Sequence, residues 1–433
     1  MPYLLNLLYV ALLVAFAPIL FWKGWKNGKY RAGWSEKFLG KAPKRIGDRP
    51  CVWFHAVSVG EVLLLKPILV DLARRRPDWH VVISTTTTTG LAVARRTFPD
   101  LVTFYAPLDF SWATRRAMAR VRPTLLALVE LELWPNLIAA AKHSGARVAI
   151  INGRLSGRSH RGYRKIRWAL RKTLWRIDTV AAQTEEYASR FVDLGVPDPH
   201  VRVTGSVKYD GLESSRTNGR TAGLRKELGL SSADLIFVAG STMEGEEEAA
   251  LAAYRRALSR HPRLRLVLVP RHAERFEKLA SWLTGEGLRV IRRSQPGVIH
   301  RRSHEPAVIL IDTLGELSAV WGLADVAFVG GSLFPGRGGQ NMMEAAAYGP
   351  SVIFGPHTSN FKEAVEGLLA RGGARRVADA EELASALAED LDDPETASRR
   401  GAAGREFVLA QDGASVRTVA ELDRLVSGAN VRR

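Results

Sequence analysis

Short apolar runs alternate with longer helical patterns along the chain from residue 50 onward, and this alternation restricts the fold more than any other feature. The runs CVWFHA (51–56), HVVIS (80–84), LLALVEL (125–131), RVAIIN (147–152) and TVAAQ (179–183) read as buried strands. Between the first two, VLLLKPILVDLARRR carries Leu64, Pro67, Ile68 and Leu72 at helical spacing. Strand–helix alternation requires a parallel sheet covered by helices on both faces. A polar, Gly-rich stretch, GLESSRTNGRTAG (211–223), follows and reads as a linker. A second series then supplies LIFVAG (235–240), LRLVLVP (264–270), AVILID (307–312), DVAFVG (325–330) and SVIFG (351–355). The predicted class is therefore α/β, with two Rossmann-like, doubly wound domains facing a ligand-binding cleft. The boundaries read as an N-terminal anchor at 1–22, a first domain at 23–210, the linker at 211–223 and a second domain at 224–433. The chain's 433 residues suit two cores better than one. Helices from about 380 onward are expected to close the outside of the second domain.

Several chemistries are excluded. A single cysteine, Cys51, permits no internal disulfide, and no CxxC or HExxH spacing marks a zinc site. No GxSxG elbow supports Ser-His-Asp hydrolysis. Asp390-Leu391-Asp392 has the DxD form of a metal-dependent transferase but lies in an Ala/Glu-rich helical tail. The TTTTT run (85–89) ends a strand and reads as a loop rich in hydroxyl donors.

The formal net charge is +18, which speaks to partners rather than to fold. Residues 3–21 carry no charge and would rise about 28 Å as a helix, close to the thickness of a bilayer core. Lys23, Lys26, Lys29 and Arg31 follow at once, and no basic residue precedes the stretch. The positive-inside rule then predicts an uncleaved anchor at the cell (inner) membrane with the bulk of the protein in the cytoplasm. Pro18 and Asn6 leave open whether the segment spans or lies in one leaflet. A second basic stretch, residues 154–176, holds nine Arg or Lys with aromatic residues between them. It reads as a solvated helix face or as a surface for anionic lipid or phosphate, and the apolar anchor argues against nucleic acid.

Four stretches are candidates for chemistry. HAVSVGE (55–61) closes the first strand and opens a helix, the ligand-facing edge of such a sheet; Gly60 allows close backbone approach. Glu61 in the first helical turn is a general-base candidate or a helix cap. VELELWPN (129–136) ends a buried strand with Glu130 and Glu132, expected on one face of the strand by its period of two. They should face a cleft or meet a cation. GSTMEGEEE (240–248) offers Ser241 and Thr242 as phosphate donors, although Glu244 and Glu246 to Glu248 in the same turn would repel an anion and serve the helix dipole instead. VGGSLFPGRGGQNMMEAAAYG (329–349) is a Gly-rich loop followed by a helix. There, the amides of Gly330, Gly331, Gly338 and Gly339 are expected to face phosphate, and Glu344 to meet ribose hydroxyls.

Taken with RAGWSEKFLG (31–40), NGRLSGRS (152–159), TGSVKYD (204–210), VPRHAERF (269–276) and GPHTSNF (355–361), these collinear motifs resemble the Kdo (3-deoxy-D-manno-oct-2-ulosonic acid) transferases of lipopolysaccharide assembly. The resemblance implies a GT-B fold, CMP-Kdo as donor, a lipid A precursor as acceptor at the cytoplasmic face of the inner membrane, and no metal or other cofactor. It implies Glu61 as the base in an inverting displacement, with Ser58, Gly60, Glu130, Glu132 and Arg154 binding or orienting the acceptor. Lys208, Ser241, Thr242, Arg271, His272, Gly331, Gly339, Asn341 and Glu344 would surround the donor. The family's RGGHNPLEP reads RGGQNMMEA here (337–345), with Gln340 for the histidine, and GNxK reads Gly205-Ser206-Val207-Lys208. Two other readings stay open: a GT-B transferase using another nucleotide sugar on a lipid, and a non-catalytic protein on this fold that binds anionic lipid.

Overall fold

The structure is a computed structural model that describes residues 5–7, 9–11, 14, 15, 32–295 and 307–430, with no side-chain description for 428–430. The basic flank Lys23, Lys26, Lys29 and Arg31 and most of the expected anchor lie outside the described residues. Among those described, no helix is long and apolar enough to cross a membrane. Residues 5–7, 9–11, 14 and 15 are helical.

The chain divides into two compact units. The first comprises Met1–Asp210 with Asp412–Arg433, and the second Gly211–Gln411. The first holds strands β1 (Cys51–His55), β2 (His80–Thr85), β3 (Val102–Tyr105), β4 (Leu125–Val129), β5 (Arg147–Gly153), β6 (Thr179–Ala182) and β7 (Val201–Val203). They form one sheet in the order β3-β2-β1-β4-β5-β6-β7, every pair parallel. β1 and β4 are buried at every position, as a central strand covered on both faces must be. Alternate residues serve opposite layers. Cys51 and Trp53 join one core cluster with Leu126 and Leu128, whereas Val52 and Phe54 join another with Leu125 and Ala127.

The second unit repeats the plan with β8 (Leu235–Thr242), β9 (Leu264–Pro270), β10 (Arg289–Arg292), β11 (Ala307–Leu310), β12 (Val326–Val329), β13 (Ser351–Phe354) and β14 (Arg375–Arg376). Their order is β10-β11-β9-β8-β12-β13-β14, again parallel throughout. In each sheet the winding direction reverses once, between β1 and β4 in the first and between β8 and β12 in the second. Loops leaving two adjacent strands in opposite directions open a crevice at their carboxyl ends. The four loops at these two reversals are the four motif-bearing loops of the sequence.

Two expectations change, and the DxD sequence set aside above is accounted for. β4 stops at Val129, and Glu130 adopts a left-handed conformation (φ 59°) in the turn that follows. Glu130 and Glu132 therefore come off a turn, and strand pleating does not align them. Asp390 of the DxD sequence is a buried structural group, accepting from Ser351 Oγ at 2.6 Å and paired with Arg400. The last helix, Ala414–Asn430, belongs to the first unit, whereas the sequence reading carried the second domain to residue 433. Its buried Val419, Leu422 and Val426 join the core beside Leu65 and Ile68 of the helix Val59–Arg75. The Asp210 carboxylate accepts from the amides of Ala414 (3.1 Å) and Ser415, and Asp423 pairs with Arg75 and Arg76. Leu422→Ala should lower the unfolding free energy of the first unit by about 3 kcal/mol, read by urea titration.

Candidate active site

In the first unit the helix Val59–Arg75 begins with an S-x-x-E capping arrangement. Ser58 Oγ accepts from the Glu61 amide at 3.3 Å and donates to Glu61 Oε1 at 2.7 Å, while Glu61 Oε2 accepts from the Val57 amide at 2.9 Å. The Val57 carbonyl, in the next peptide along, accepts from the hydroxyls of Thr85 (3.1 Å), Thr86 (3.3 Å) and Thr87 (3.4 Å). The threonine run after β2 thus orients the loop that holds Glu61. Gly60 has open space above it, since an added Cβ would meet only Ser58 Oγ, at 3.9 Å. His55 is fully buried, bonded to Ser84 Oγ at 2.9 Å and held neutral, because burial pushes its pKa down to about 4.

Glu130 and Glu132 stand close enough to Glu61 to act on it electrostatically. Burial raises the Glu61 carboxyl above the usual range; the Val57 amide and Ser58 hydroxyl oppose that, and the Glu130 charge adds to it. Burial likewise raises Glu132, helped by the charges of Glu61 and Glu130 and opposed by the Trp134 indole, which donates to Glu132 Oε2 at 2.7 Å. Lys208 Nζ lies 3.6 Å from Glu130 Oε1 and answers part of this negative charge. The turn carrying Lys208 is tied to the end of β5, where Asn152 Oδ1 accepts from the Val207 amide at 3.1 Å. Arg154 follows β5 on the same carboxyl edge, half-buried. Tyr163 also faces the cluster, its phenol pKa raised by burial and by the Glu132 charge. Burial and like charge thus hold both Glu61 and Glu132 above the ordinary carboxylate range.

In the second unit the expected phosphate nest is already filled by the protein. The Glu246 carboxylate, 1% exposed, accepts from the amides of Met243 (2.9 Å), Gly331 (2.6 Å), Ser332 (2.9 Å) and Leu333 (2.9 Å). Gly330 donates to the Gly240 carbonyl at 2.9 Å and Gly339 to the Gly331 carbonyl at 2.7 Å. The amides of Gly330, Gly331 and Gly339 are therefore spent within the fold, contrary to the sequence expectation. Glu246 does not repel an incoming anion there, because it is the anion. A Cβ on Gly330 would fall 2.7 Å from Glu246 Oε2 and the Ser241 carbonyl, so only glycine lets the two loops approach. Thr242 is also committed, donating to Glu247 Oε1 at 2.8 Å, and Glu247 is paired bidentately with Arg275 at 2.7 and 2.9 Å. Ser241 is buried at a left-handed φ of 53°.

Asn341 caps the helix Met342–Tyr348, accepting from the Met343 amide at 3.2 Å and donating to Glu344 Oε1 at 2.9 Å. Burial raises the Glu344 carboxyl, while Asn341 and the charge of Arg271 lower it. Arg271 and His272 are exposed at the end of β9. An open cavity of about 510 Å³ lies beside the Gly-rich loop, lined by Gly336, Arg337, Gly338, Pro356, His357, Thr358, Ser359, Asn360 and Lys362. Sequence reasoning did not single out Arg337, His357 or Lys362. Their signal was the basic character of RGG and GPHTSNFK at the ends of β12 and β13. No group of three or more His, Cys, Asp or Glu is placed to hold a metal ion among the described residues.

Residues 31–211 match the family described as 3-deoxy-D-manno-octulosonic-acid transferase (kdotransferase). A 3-deoxy-D-manno-octulosonic acid transferase of Bordetella pertussis is 36% identical, over 96% of this chain and 98% of its own. The enzyme of the same name from Haemophilus influenzae is 36% identical, over 90% of each chain. The chain belongs to the Kdo transferase family. As a member of that family it is a glycosyltransferase. Its GT-B-type fold is also seen in distant solved structures. A UDP-GlcNAc 2-epimerase from Neisseria meningitidis matches with TM-score 0.57 and 14% identity over 87% of this chain and 100% of its own. Acinetobacter baumannii MurG matches with TM-score 0.54 and 12% identity over the same shares. Within this Kdo transferase the Glu246 clamp predicts a definite outcome. Glu246→Ala, which strands four buried amides, should cost about 3 kcal/mol or more. It should also speed hydrogen exchange at Gly331 to Leu333, read by mass spectrometry.

Proposed function

We propose that this Kdo transferase moves Kdo from CMP-Kdo to a lipid A precursor at the cytoplasmic face of the inner membrane, by an inverting single displacement without metal. Glu61 is the base. The observation that carries the assignment is the Glu61–Glu130–Glu132 cluster at the winding reversal of the first sheet, where burial and neighbouring charge raise Glu61. A carboxylate with a raised pKa is a stronger base toward an alcohol than an ordinary one. Both bonds to Glu61 donate to its carboxylate, from the Val57 amide and the Ser58 hydroxyl, so they fix its orientation in the ionised form. As the base takes the acceptor proton, the acceptor oxygen bonds the anomeric carbon and the bond to CMP breaks.

Glu130, Glu132 and Arg154 belong to acceptor binding in this reading, with Ser58 and Gly60 at the open helix start. Lys208, 3.6 Å from Glu130, balances charge as anionic substrates arrive. On the donor side, Glu344 and Asn341 suit ribose hydroxyls, and Arg271 and His272 are exposed for the phosphate. Ser241, Thr242, Gly331 and Gly339 act by shaping the loops, since the Thr242 hydroxyl and the amides of Gly331 and Gly339 are already bonded. Arg337 and Lys362 add positive charge around the adjoining cavity, which His357 also lines, a fit for the carboxylate and phosphate of such a donor.

The basic stretch supports a membrane-facing role. It forms the helices Gly157–Lys165 and Arg167–Leu174. Tyr163 and Leu170 turn toward the core, whereas Trp168 is 80% and Trp175 67% exposed. Exposed tryptophans among arginines and lysines suit an anionic lipid surface.

Incubation of the purified protein with CMP-Kdo and a lipid A precursor should yield CMP and a product heavier by Kdo, weighed by mass spectrometry; release of UDP from a UDP-sugar instead would move the donor assignment. Glu61→Gln should cut turnover about 10²- to 10⁴-fold while leaving CMP binding unchanged. Because the Glu61 carboxyl sits above the ordinary range, the base is protonated and transfer falls on its acid side, with the limb at higher pH than a free carboxylate would give. A kcat/KM profile whose acid limb lies in the ordinary carboxylate range would contradict the base assignment. Neutralising Arg161, Arg164 and Lys165 should weaken binding to anionic vesicles, with the difference shrinking as salt rises.

A further inference from the structure

The N-terminal apolar segment carries two polar side chains three residues apart, Asn6 and Tyr9, which share one face of a helix. Both are bonded to a single short stretch of the first unit. Asn6 Nδ2 donates to Ser111 Oγ at 2.7 Å, and Asn6 Oδ1 accepts from the Ser111 amide at 3.0 Å. Tyr9 donates its hydroxyl to Asp109 Oδ2 at 3.1 Å, and its ring meets Phe110 edge-on with centroids 6.0 Å apart. Asn6 is 8% and Asp109 7% exposed, so these polar groups are matched inside the protein.

The chain returns to that same stretch after the apolar segment. Trp112 Nε1 donates to the Phe38 carbonyl at 2.9 Å and the Leu108 amide to the Lys37 carbonyl at 2.8 Å. Gly33 lies so close to Tyr105 that an added Cβ would stand 2.1 Å from its ring. Asn6, Tyr9, Gly33, Lys37 and Phe38 thus all meet one stretch of the first unit, residues 105–112.

Asp109 also holds the turn that contains Glu130 and Glu132. Its Oδ1 accepts from the Leu137 amide at 2.8 Å and its Oδ2 from the Asn136 amide at 3.1 Å, at the start of the helix Pro135–His143 that ends the turn. Asn136 Nδ2 donates in turn to the Asp109 carbonyl at 2.6 Å.

We propose that Asn6 and Tyr9, docked on Ser111 and Asp109 of the first unit, position the Glu130–Trp134 turn through Asp109. Trp34, Leu39 and Trp112, all exposed near the same contact, give that face the aromatic character of a membrane–water interface. The kinetic consequence rests on reading Glu130 and Glu132 as acceptor contacts; the positioning of the turn does not.

Full-length Tyr9→Phe and Asn6→Leu/Tyr9→Phe variants are compared with the parent for hydrogen exchange across residues 130–138 and for acceptor KM and kcat. Exchange there should rise several-fold, with exchange in the helix Glu185–Leu194 and CMP binding unchanged, and acceptor KM should rise. Unchanged exchange at 130–138 overturns the positioning role. Faster exchange with unaltered transfer upholds the docking and rejects Glu130 and Glu132 as acceptor contacts.

Discussion

In a parallel sheet every strand ends at the same edge, and the loops leaving that edge crowd together with backbone amides that lack partners. This chain meets the constraint with buried carboxylates reaching from one loop to another. Glu246 takes four amides from the loops after β8 and β12. Asp109 takes the first amides of the helix after the Glu130–Trp134 turn. Asp210 takes those of the last helix. Each replaces what would be several unsatisfied donors, at about 1–3 kcal/mol apiece, with charge-assisted bonds. Among the described residues Glu247, Asp312 and Asp390 are buried acids too, each paired with an arginine.

The same constraint explains what could be read from the sequence. Central strands are buried on both faces and appear as unbroken apolar runs, so β1, β2, β4, β5, β6, β8, β9, β11, β12 and β13 were legible. The four strands that sequence reading did not mark, β3, β7, β10 and β14, are the four edges of the two sheets. An edge strand has one neighbour and partly exposed faces. Accordingly β10 is only half-buried throughout, β7 exposes Arg202 and Val203, and β14 is two arginines long. The final helix was misassigned for a related reason. Its apolar stripe says that it covers a core but not which one, and the deciding contacts, Asp210 to Ala414 and Arg75 to Asp423, join residues hundreds of positions apart.

At the site, position along the chain was readable and orientation was not. That HAVSVGE and VELELWPN meet follows from both loops leaving adjacent central strands. That Glu130 and Glu132 come from a turn could not be seen, because the left-handed φ of Glu130 has no composition signal. The glycines after β12 were legible as a tight loop. Their use was not, because a Gly-rich loop offers the same amides to a phosphate or to a protein carboxylate, and only the buried position of Glu246 decides between them. The resemblance to Kdo transferases carried the choice of donor and acceptor, which no spacing in the chain specifies.

Glu61 shows why a capping role and a catalytic role are compatible. A helix cap uses one lone pair on each carboxylate oxygen, and Glu61 spends these on the Val57 amide and the Ser58 hydroxyl. A carboxylate has about four acceptor directions, so a proton from an incoming hydroxyl still finds one. The two bonds alone would make Glu61 a weak base by favouring its charged form. Burial and the Glu130 charge reverse that bias, and the net shift is upward. The capping contacts therefore set where the carboxylate points, while its surroundings set how strongly it holds a proton. The Thr85, Thr86 and Thr87 hydroxyls enforce the first by fixing the Val57 carbonyl, without touching Glu61 itself.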